Sequence, residues 1–474
     1  MANPENTFDV IVVGGGAAGA VCAATLAARG AHTLLVAETR ELGRNLRSPI
    51  VDGHRAIIQH PWWHVGWGGG AWARVMREHN LPARVHLETD AVLGVRGGAR
   101  ITLPTVLSAK SVSDALFAIL PVEDENIRSG VERALYHALA IPYEELFALA
   151  DKPFTEWLDD IGADPISKMM MVQLGAMFTS LSAESIPDHL SVFGAVASLR
   201  SFLGGESWTC VIEPDAQTGL VWPLGEAVKK YGSEVWTGTA VARIVVVDGR
   251  AVGVEMKDGR TARAAHVAMA VGNPRLPALL DPLPSELRAP LEKESPLALD
   301  EVFVLTLLKQ PLVDVKTFLI LVDPSTGGLV WIAPSSTVAP WFSPDDRQLV
   351  PVWIKDLPGK AALDDAAVDE YVDTVLEELY PGWTEAIDAR THLRHGHHWL
   401  NPAYLGPKVP RRSPTVDALW YVGEGTTPVG GLGLEQAAHA GYTGALEIVD
   451  SLGLSRDIDP TRVVGAFATE AAVL

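Results

Sequence analysis

Three glycines carry the first legible chemistry in this chain. In VIVVGGGAAGAVCAATLAARG, Val10–Gly30, the residues Gly14, Gly16 and Gly19 keep the G-x-G-x-x-G spacing directly after the β-branched run Val10–Val13. The first glycine permits a tight turn, the second lets backbone N–H groups approach a pyrophosphate, and the third lets a helix pack close to the strand. Ala18 lies within the same turn. Phosphates bound there sit at a helix N-terminus, where unpaired N–H groups and the helix dipole favour negative charge. A second strand, HTLLVAE, ends in Glu38, 19 residues beyond Gly19. An acid at that position accepts hydrogen bonds from a ribose 2′-OH and repels a 2′-phosphate. The pattern is a dinucleotide site that disfavours NADP and leaves NAD and FAD open.

Two further stretches hold residues able to act on a substrate. HPWWHVGWGGGAW brings together His60, Trp62, Trp63, His64, Trp67 and Trp72. Aromatic walls hold a ring-shaped substrate flat, and a histidine can remove a proton next to a ketone. Trp is also highly buried on average, so core packing accounts for the same tryptophans. HLRHGHHWLNPAY contains His392, His395, His397, His398 and Tyr404. It lacks a Cys or acid at ligand spacing, so no metal site is expected. His395 and His397 are then candidates for the lining of a substrate cavity, with Tyr404 as a hydrogen-bond donor. The run MMMVQLGAM, residues 169–177, reads as ordinary helix core.

These residues need a scaffold, and the chain alternates between two kinds. Residues 8 to about 45 read as strand, helix, strand, and residues 108 to 214 as mostly helical, with SVSDALFAIL, GVERALYHALA and SKMMMVQLGAMFTSL. WTGTAVARIVVVDGRAVGVEMKDGRTARAAHVAMAV reads as three strands joined by turns with Asp-Gly at the bend. EVFVLTLL, TFLILVD, GLVWIA and LVPVWI are further strands, DDAAVDEYVDTVLEELY is a helix, and ALWYVGEG reopens a strand-turn-helix unit near the end. The expected class is mixed α/β. A dinucleotide domain is expected from residues 1–75, 215–275 and 415–474, with a substrate domain of mixed sheet and helices from 76–214 and 276–414.

Composition narrows the partners. The 474 residues exceed the size at which one core keeps growing. Lys plus Arg number 38 against 58 Asp plus Glu, a formal net charge of −20. Such a surface repels nucleic-acid phosphates and anionic headgroups, which leaves a small molecule as the expected partner. A homodimer is compatible with these features. The only cysteines, Cys22 and Cys210, offer no disulfide framework, and the start MANPENTFDV has no secretory pattern. No run of 18 apolar residues appears, so no membrane-spanning helix is expected. A cytoplasmic location is the reading these features favour.

The last strand-turn-helix unit, ALWYVGEGTTPVGGLGLEQAAHAGYTGALEIV, lies about 400 residues after the first. A site assembled from both ends of the chain resembles the glutathione-reductase-like FAD folds, and in detail the flavin amine oxidase and phytoene desaturase-like superfamily. The resemblance implies FAD as cofactor. It places Gly423, Glu424 and Gly425 beneath the ribityl chain, and Gly430, Gly431, Leu432 and Gly433 in the turn before a helix aimed at the isoalloxazine. In TAVARIVVVDG it gives the backbone of Val241 a clamp on adenine. The chain departs from the family at ETRELGRN, where a single Gly43 precedes Arg44 instead of a Gly-Gly pair. Arg44 is expected to pair with a phosphate or lie near the flavin; Arg47 competes, and a solvated loop charge is the plain alternative.

GEGTTPVGG holds neither Cys nor aromatic residues, which resembles the phytoene desaturase-like branch and its non-covalent FAD. The segment HPWWHVGWGGGAW stands where the family passes beside the isoalloxazine. The resemblance therefore implies a desaturase or dehydrogenase that moves a hydride from a C–H bond to flavin N5. Its substrate is expected to be compact, apolar, and cyclic or ketone-bearing, bound by Trp62, Trp63 and Trp67 with His60, His64 or Tyr404 in catalysis. A flavin amine oxidase is the alternative. Escort-type binding proteins of the same fold lack an intact FAD site, whereas here the glycines and Glu38 are intact.

Overall fold

The β-branched run becomes β1 (Thr7–Val13), the alanine-rich run α1 (Ala17–Ala28), and HTLLVAE contributes β2 (Thr33–Val36). The computed structural model describes residues 6–57, 67–68, 70–87, 91–103, 108–119, 124–142, 145–146, 148–178, 189–203, 207–208, 210–294, 301–326, 328–356, 363–395, 404–426 and 433–458. Every residue of α1 is buried, as expected of a helix that is apolar on all sides. After α2 (Ala71–Glu78) come the short strands β3 (Val92–Val95) and β4 (Arg100–Thr102). A helical stretch follows: α3 (Ala109–Ile119), α4 (Glu125–Ala140), α5 (Pro165–Phe178) and α6 (Val192–Leu203).

The chain then returns to the first sheet with β5 (Glu234–Trp236), β6 (Val241–Val247), β7 (Arg250–Met256) and β8 (Thr261–Met269). Asp248 and Gly249, both with positive φ, form the two-residue turn between β6 and β7, the backbone state a type I′ hairpin requires. The second sheet receives β9 (Glu301–Leu308), β10 (Leu319–Asp323), β11 (Gly328–Ile332) and β12 (Gln348–Asp356). It closes with α7 (Asp365–Leu379) and β13 (Ile387–His395), and β14 (Leu419–Tyr421) leads back to the first sheet and α8 (Gly433–Ser451).

The first sheet runs β5-β2-β1-β8-β7-β6, with β14 also paired to β8. Strands β5, β2, β1, β8 and β14 are mutually parallel where they pair, and β6 and β7 are antiparallel additions. β8 therefore forks: its early residues pair with β7 and its last three with β14. Helices α1 and α8 pack against each other on this sheet, so closely that a Cβ on Gly441 would lie 2.3 Å from the Ala18 carbonyl oxygen.

The second sheet runs β13-β9-β12-β11-β10-β3-β4. Side chains alternate across it. Val302, Val304, Val350, Val352 and Ile354 meet Val368, Val372 and Val375 of α7. Phe303, Leu305, Leu307, Leu349 and Trp353 face the layer that holds residues of α3 to α6. Where β3 and β10 end side by side, Arg96 reaches Asp323 at 2.9 Å and also Glu378 of α7. Burial of the fully enclosed Asp323 opposes its charge, but the Ser325 hydroxyl and the Arg96 guanidinium outweigh it and hold the carboxyl at about 2.

Two outcomes follow for stability. Gly441→Val forces a branched side chain into backbone and is expected to cost about 1–3 kcal/mol, read as a lower melting temperature; an unchanged melt means α8 can retreat from α1. For Asp323 the folded value of about 2 lies below that of an unfolded carboxyl at about 3.9. Its stabilisation is therefore present above about pH 4 and is lost as the pH falls through about 2. Asp323→Asn should melt lower than the parent at neutral pH, by about 1–3 kcal/mol. The gap should narrow on acidification, and a gap independent of pH refutes the assignment.

Candidate functional site

At the carboxyl end of β1 the chain turns through Gly14, whose φ of +120° a side chain rarely adopts and whose Cβ would lie 2.4 Å from the Ala270 carbonyl oxygen. A Cβ on Gly19 would lie 1.8 Å from the Gly14 oxygen, so the helix can pass this close to the turn only without a side chain there. Gly16 differs from both. A Cβ built on it meets nothing within 4 Å. It is the extended N-cap of α1 and makes no side-chain cap, so the first N–H groups of α1, those of Ala17, Ala18 and Gly19, lack intrahelical partners. Open space bounded by unpaired N–H groups at a helix N-terminus is a cradle for a pyrophosphate.

The acid predicted for the ribose, Glu38, lies two residues beyond β2 and is half exposed. Its Oε2 accepts a hydrogen bond from Arg275 Nη1 at 2.7 Å. Backbone bonds from Thr239 N to Ala37 O and from Gly238 N to Thr39 O lace the β5–β6 connection to the same segment. They bring the buried Val241, first residue of β6, beside the end of β2, with an irregular register between Val241 and Arg243.

Arg44 opens a single 3₁₀ turn after Gly43, and Gly43 N donates to Gly15 O at 2.7 Å. Gln217 Nε2 and Trp222 Nε1 both donate to Leu42 O and pin that turn beside the glycine loop. Arg44 and Arg47 are exposed, and neither has an ion-pair partner among the described residues.

From the far end of the chain, β14 delivers Gly423, Glu424 and Gly425 to the same edge, with Val422 N bonded to Met269 O. Thr426 Oγ1 donates to Gly423 O at 2.8 Å, and Gln436 Nε2 from α8 donates to Glu424 O at 3.2 Å. Gly431 and Leu432 lie outside the described residues. The glycines, Glu38 and the two helix starts fit a dinucleotide stretched along this edge, its phosphates on α1.

The substrate-side expectations fare differently. His60, Trp62, Trp63 and His64 lie outside the described residues, as does His397. The backbone of Trp67 pairs antiparallel with Trp208. Trp72 is fully buried in the hydrophobic cluster around α1 and α8, and its Nε1 donates to Leu434 O at 2.9 Å. The carboxylate of Glu435 accepts the Ala71 N–H, tying the start of α2 to that of α8. Tyr404 is fully buried as well, and its hydroxyl donates to Pro407 O at 3.1 Å, three residues on. Its donor is occupied locally. His392 sits on β13 with Nε2 2.7 Å from Asp369 of α7, an acid that the spacing within its own segment did not reveal. His395 ends β13 opposite Glu301.

Sequence reasoning missed Arg275 and Asn273, which follow β8 in VGNPR. A residue whose partner lies more than 200 positions away leaves no local pattern to find. It also missed the aromatic group formed by Phe303, Phe318, Trp331 and Trp353, for which the alternation of EVFVLTLL was the available signal.

The sequence profile described as flavin containing amine oxidoreductase matches residues 17–448. No curated protein matches the chain. Among solved structures, an oxidoreductase from Methanosarcina mazei is 16% identical with a TM-score of 0.68, covering 93% of this chain and 100% of that one. Cyclohexylamine oxidase from Brevibacterium oxydans is 17% identical with a TM-score of 0.62, covering 94% and 99%. A protoporphyrinogen oxidase-like protein from Exiguobacterium is 14% identical with a TM-score of 0.60, covering 95% and 100%. At these identities the likeness is one of fold. With the glycine cradle at one end of the chain, the second glycine-rich turn at the other and a family profile that runs from the start of α1 through that second turn, the chain belongs to the flavin-containing amine oxidoreductases and uses FAD.

Proposed function

We propose that this FAD-dependent oxidoreductase is a desaturase or dehydrogenase that removes a hydride and a proton from a compact, apolar, ring-bearing substrate. The observation that carries the reading is the aromatic layer between the second sheet and its helices. Phe303 stacks on Trp353 at 6.0 Å, Trp353 meets Trp331 at 5.4 Å, and Phe318 lies 6.3 Å from Trp331. These rings are buried in one hydrophobic cluster with residues of α3 to α6. A substrate domain built this way favours apolar rings and offers a dry setting.

The flanks of HPWWHVGWGGGAW support a role for that stretch. On one side, Ile57 N donates to the buried Ser335 hydroxyl at 2.8 Å; on the other, Trp72 is held by the first turn of α8. Its two described flanks are thus held at Ser335 on one side and at the first turn of α8 on the other. Bound FAD supplies the hydride acceptor. What the chain must do is orient the substrate, exclude water and hold a proton acceptor. In this reading Trp62, Trp63 and Trp67 orient, and His60 or His64 takes the proton.

A second reading, oxidation of an amine, is favoured by the family profile and by the likeness to cyclohexylamine oxidase. Both reactions break a C–H bond to give up a hydride. They differ in whether the neighbouring atom that loses a proton is carbon or nitrogen. FAD attachment is non-covalent in either case. Cys22 and Cys210 are the only cysteines and both are buried, and burial pushes the Cys22 thiol up to about 12 and keeps it protonated.

Anaerobic mixing of the purified yellow protein with cyclic ketones, cyclic amines and polyenes separates the readings by which class bleaches the flavin. Bleaching by ketones or related apolar rings is expected; bleaching by amines alone replaces the proposal with the second reading. Heat or acid should release all of the flavin into the supernatant. Yellow colour retained by the denatured chain would disprove non-covalent attachment.

A further inference from the structure

We propose that Arg275 is a positioning residue for FAD, a latch that orients Glu38 toward the ribose and closes over the adenosine half of the cofactor. Arg275 closes the single 3₁₀ turn Asn273–Arg275 that follows β8. Its Nη1 donates to Glu38 Oε2 at 2.7 Å. β2 and β8 flank β1 on opposite sides. With strands about 4.8 Å apart, the two residues rise from strands roughly 10 Å apart. The pair therefore spans the carboxyl end of β1, the strand that feeds the Gly14–Gly16 turn, and ligands of open α/β sheets bind in that crevice.

The base of this turn is fixed. Asn273 is buried, and a Cβ on Gly425 would come within 2.3 Å of its Nδ2. One short turn thus packs against the flavin-side glycines at its start and reaches the ribose-side acid at its end. Beyond that base the Arg275 side chain reaches into solvent, 65% exposed.

The chemistry suits both partners. A carboxylate offers about four lone-pair sites, so Glu38 can accept ribose hydroxyls while Arg275 occupies one. A guanidinium is planar and weakly hydrated, and it stacks on aromatic faces such as that of adenine. An exposed ion pair of this kind adds little to the stability of the fold. Its effect is expected in cofactor retention, whichever substrate class the enzyme oxidises.

The test follows FAD release from the holoprotein by the rise in flavin fluorescence after dilution, for the parent, Arg275→Gln, Arg275→Lys, Glu38→Gln and the double variant. Arg275→Gln should speed release about threefold to tenfold, with Arg275→Lys between it and the parent. In the Glu38→Gln background the same change should have a smaller effect, because the two residues act as a pair. Salt raised from about 0.05 to about 0.5 M should speed release from the parent more than from Arg275→Gln. The melting temperature of the FAD-free protein should not change. Release that is unaltered or slower in Arg275→Gln overturns the proposal, since slower release means that Arg275 competes with the ribose for Glu38. Fully additive effects in the double variant overturn it as well.

Discussion

The contact between α1 and α8 is the constraint on which the rest of the site depends. One helix begins at residue 17 and the other ends at residue 451, yet Gly441 lies so close to the Ala18 carbonyl that no side chain fits between them. That approach puts the starts of both helices on one edge of the first sheet. The same edge receives β8, where the Ala270 carbonyl crowds Gly14, and β14, where Gly423 to Thr426 turn toward α8. The helix α2 is drawn in by Trp72 and by the Ala71 N–H on Glu435. Three parts of the chain hundreds of residues apart thereby share one crevice, and a dinucleotide can lie along it only while α1 and α8 remain in register.

The second sheet has a different logic. Its two faces are apolar for different purposes, one meeting the valines of α7 and the other an aromatic layer against the helices. Its charges sit at the ends and edges of strands, where Arg96 bridges Asp323 and Glu378, and Arg390 and His392 meet Asp369 and Asp373. The hairpin Ile50–Arg55 is tied to the end of this sheet. Arg347 contacts Asp52 of the hairpin together with Asp345 and Asp388, and His54 lies 3.0 Å from Asp345. Among the described residues no helix is long and apolar enough to cross a membrane. The surplus of carboxylates behind the net charge of −20 is partly absorbed in such networks, several of them around a single arginine.

Much of the scaffold was legible because it is written locally. The strand before Gly14, the helix after Gly16, the Asp248-Gly249 hairpin and the strand-turn-helix at the end depend on periodicity and on glycine positions within about 30 residues. The same holds for β9 to β12, each read from its own run of apolar residues. Membership of the flavin family followed from two such local units at opposite ends of one chain.

What the sequence by itself determined is therefore most of the elements, the glycine turn after β1 and the acid two residues beyond β2. Tertiary structure alone decided which charges and rings meet. His392 stands in a histidine-rich segment, but its partner comes from a helix 23 residues earlier. Tyr404 looked available for a substrate, and folding gives its hydroxyl to a carbonyl three residues away inside the core. Trp72 belongs by composition to an aromatic stretch and by packing to the start of α8. Glu38 stood out locally as an acid after a strand, whereas its partner Arg275, 237 positions away, did not. Backbone conformation is set by neighbours in the chain, but an ion pair or a buried ring is set by neighbours in space, and those exist only once the sheet has ordered its strands.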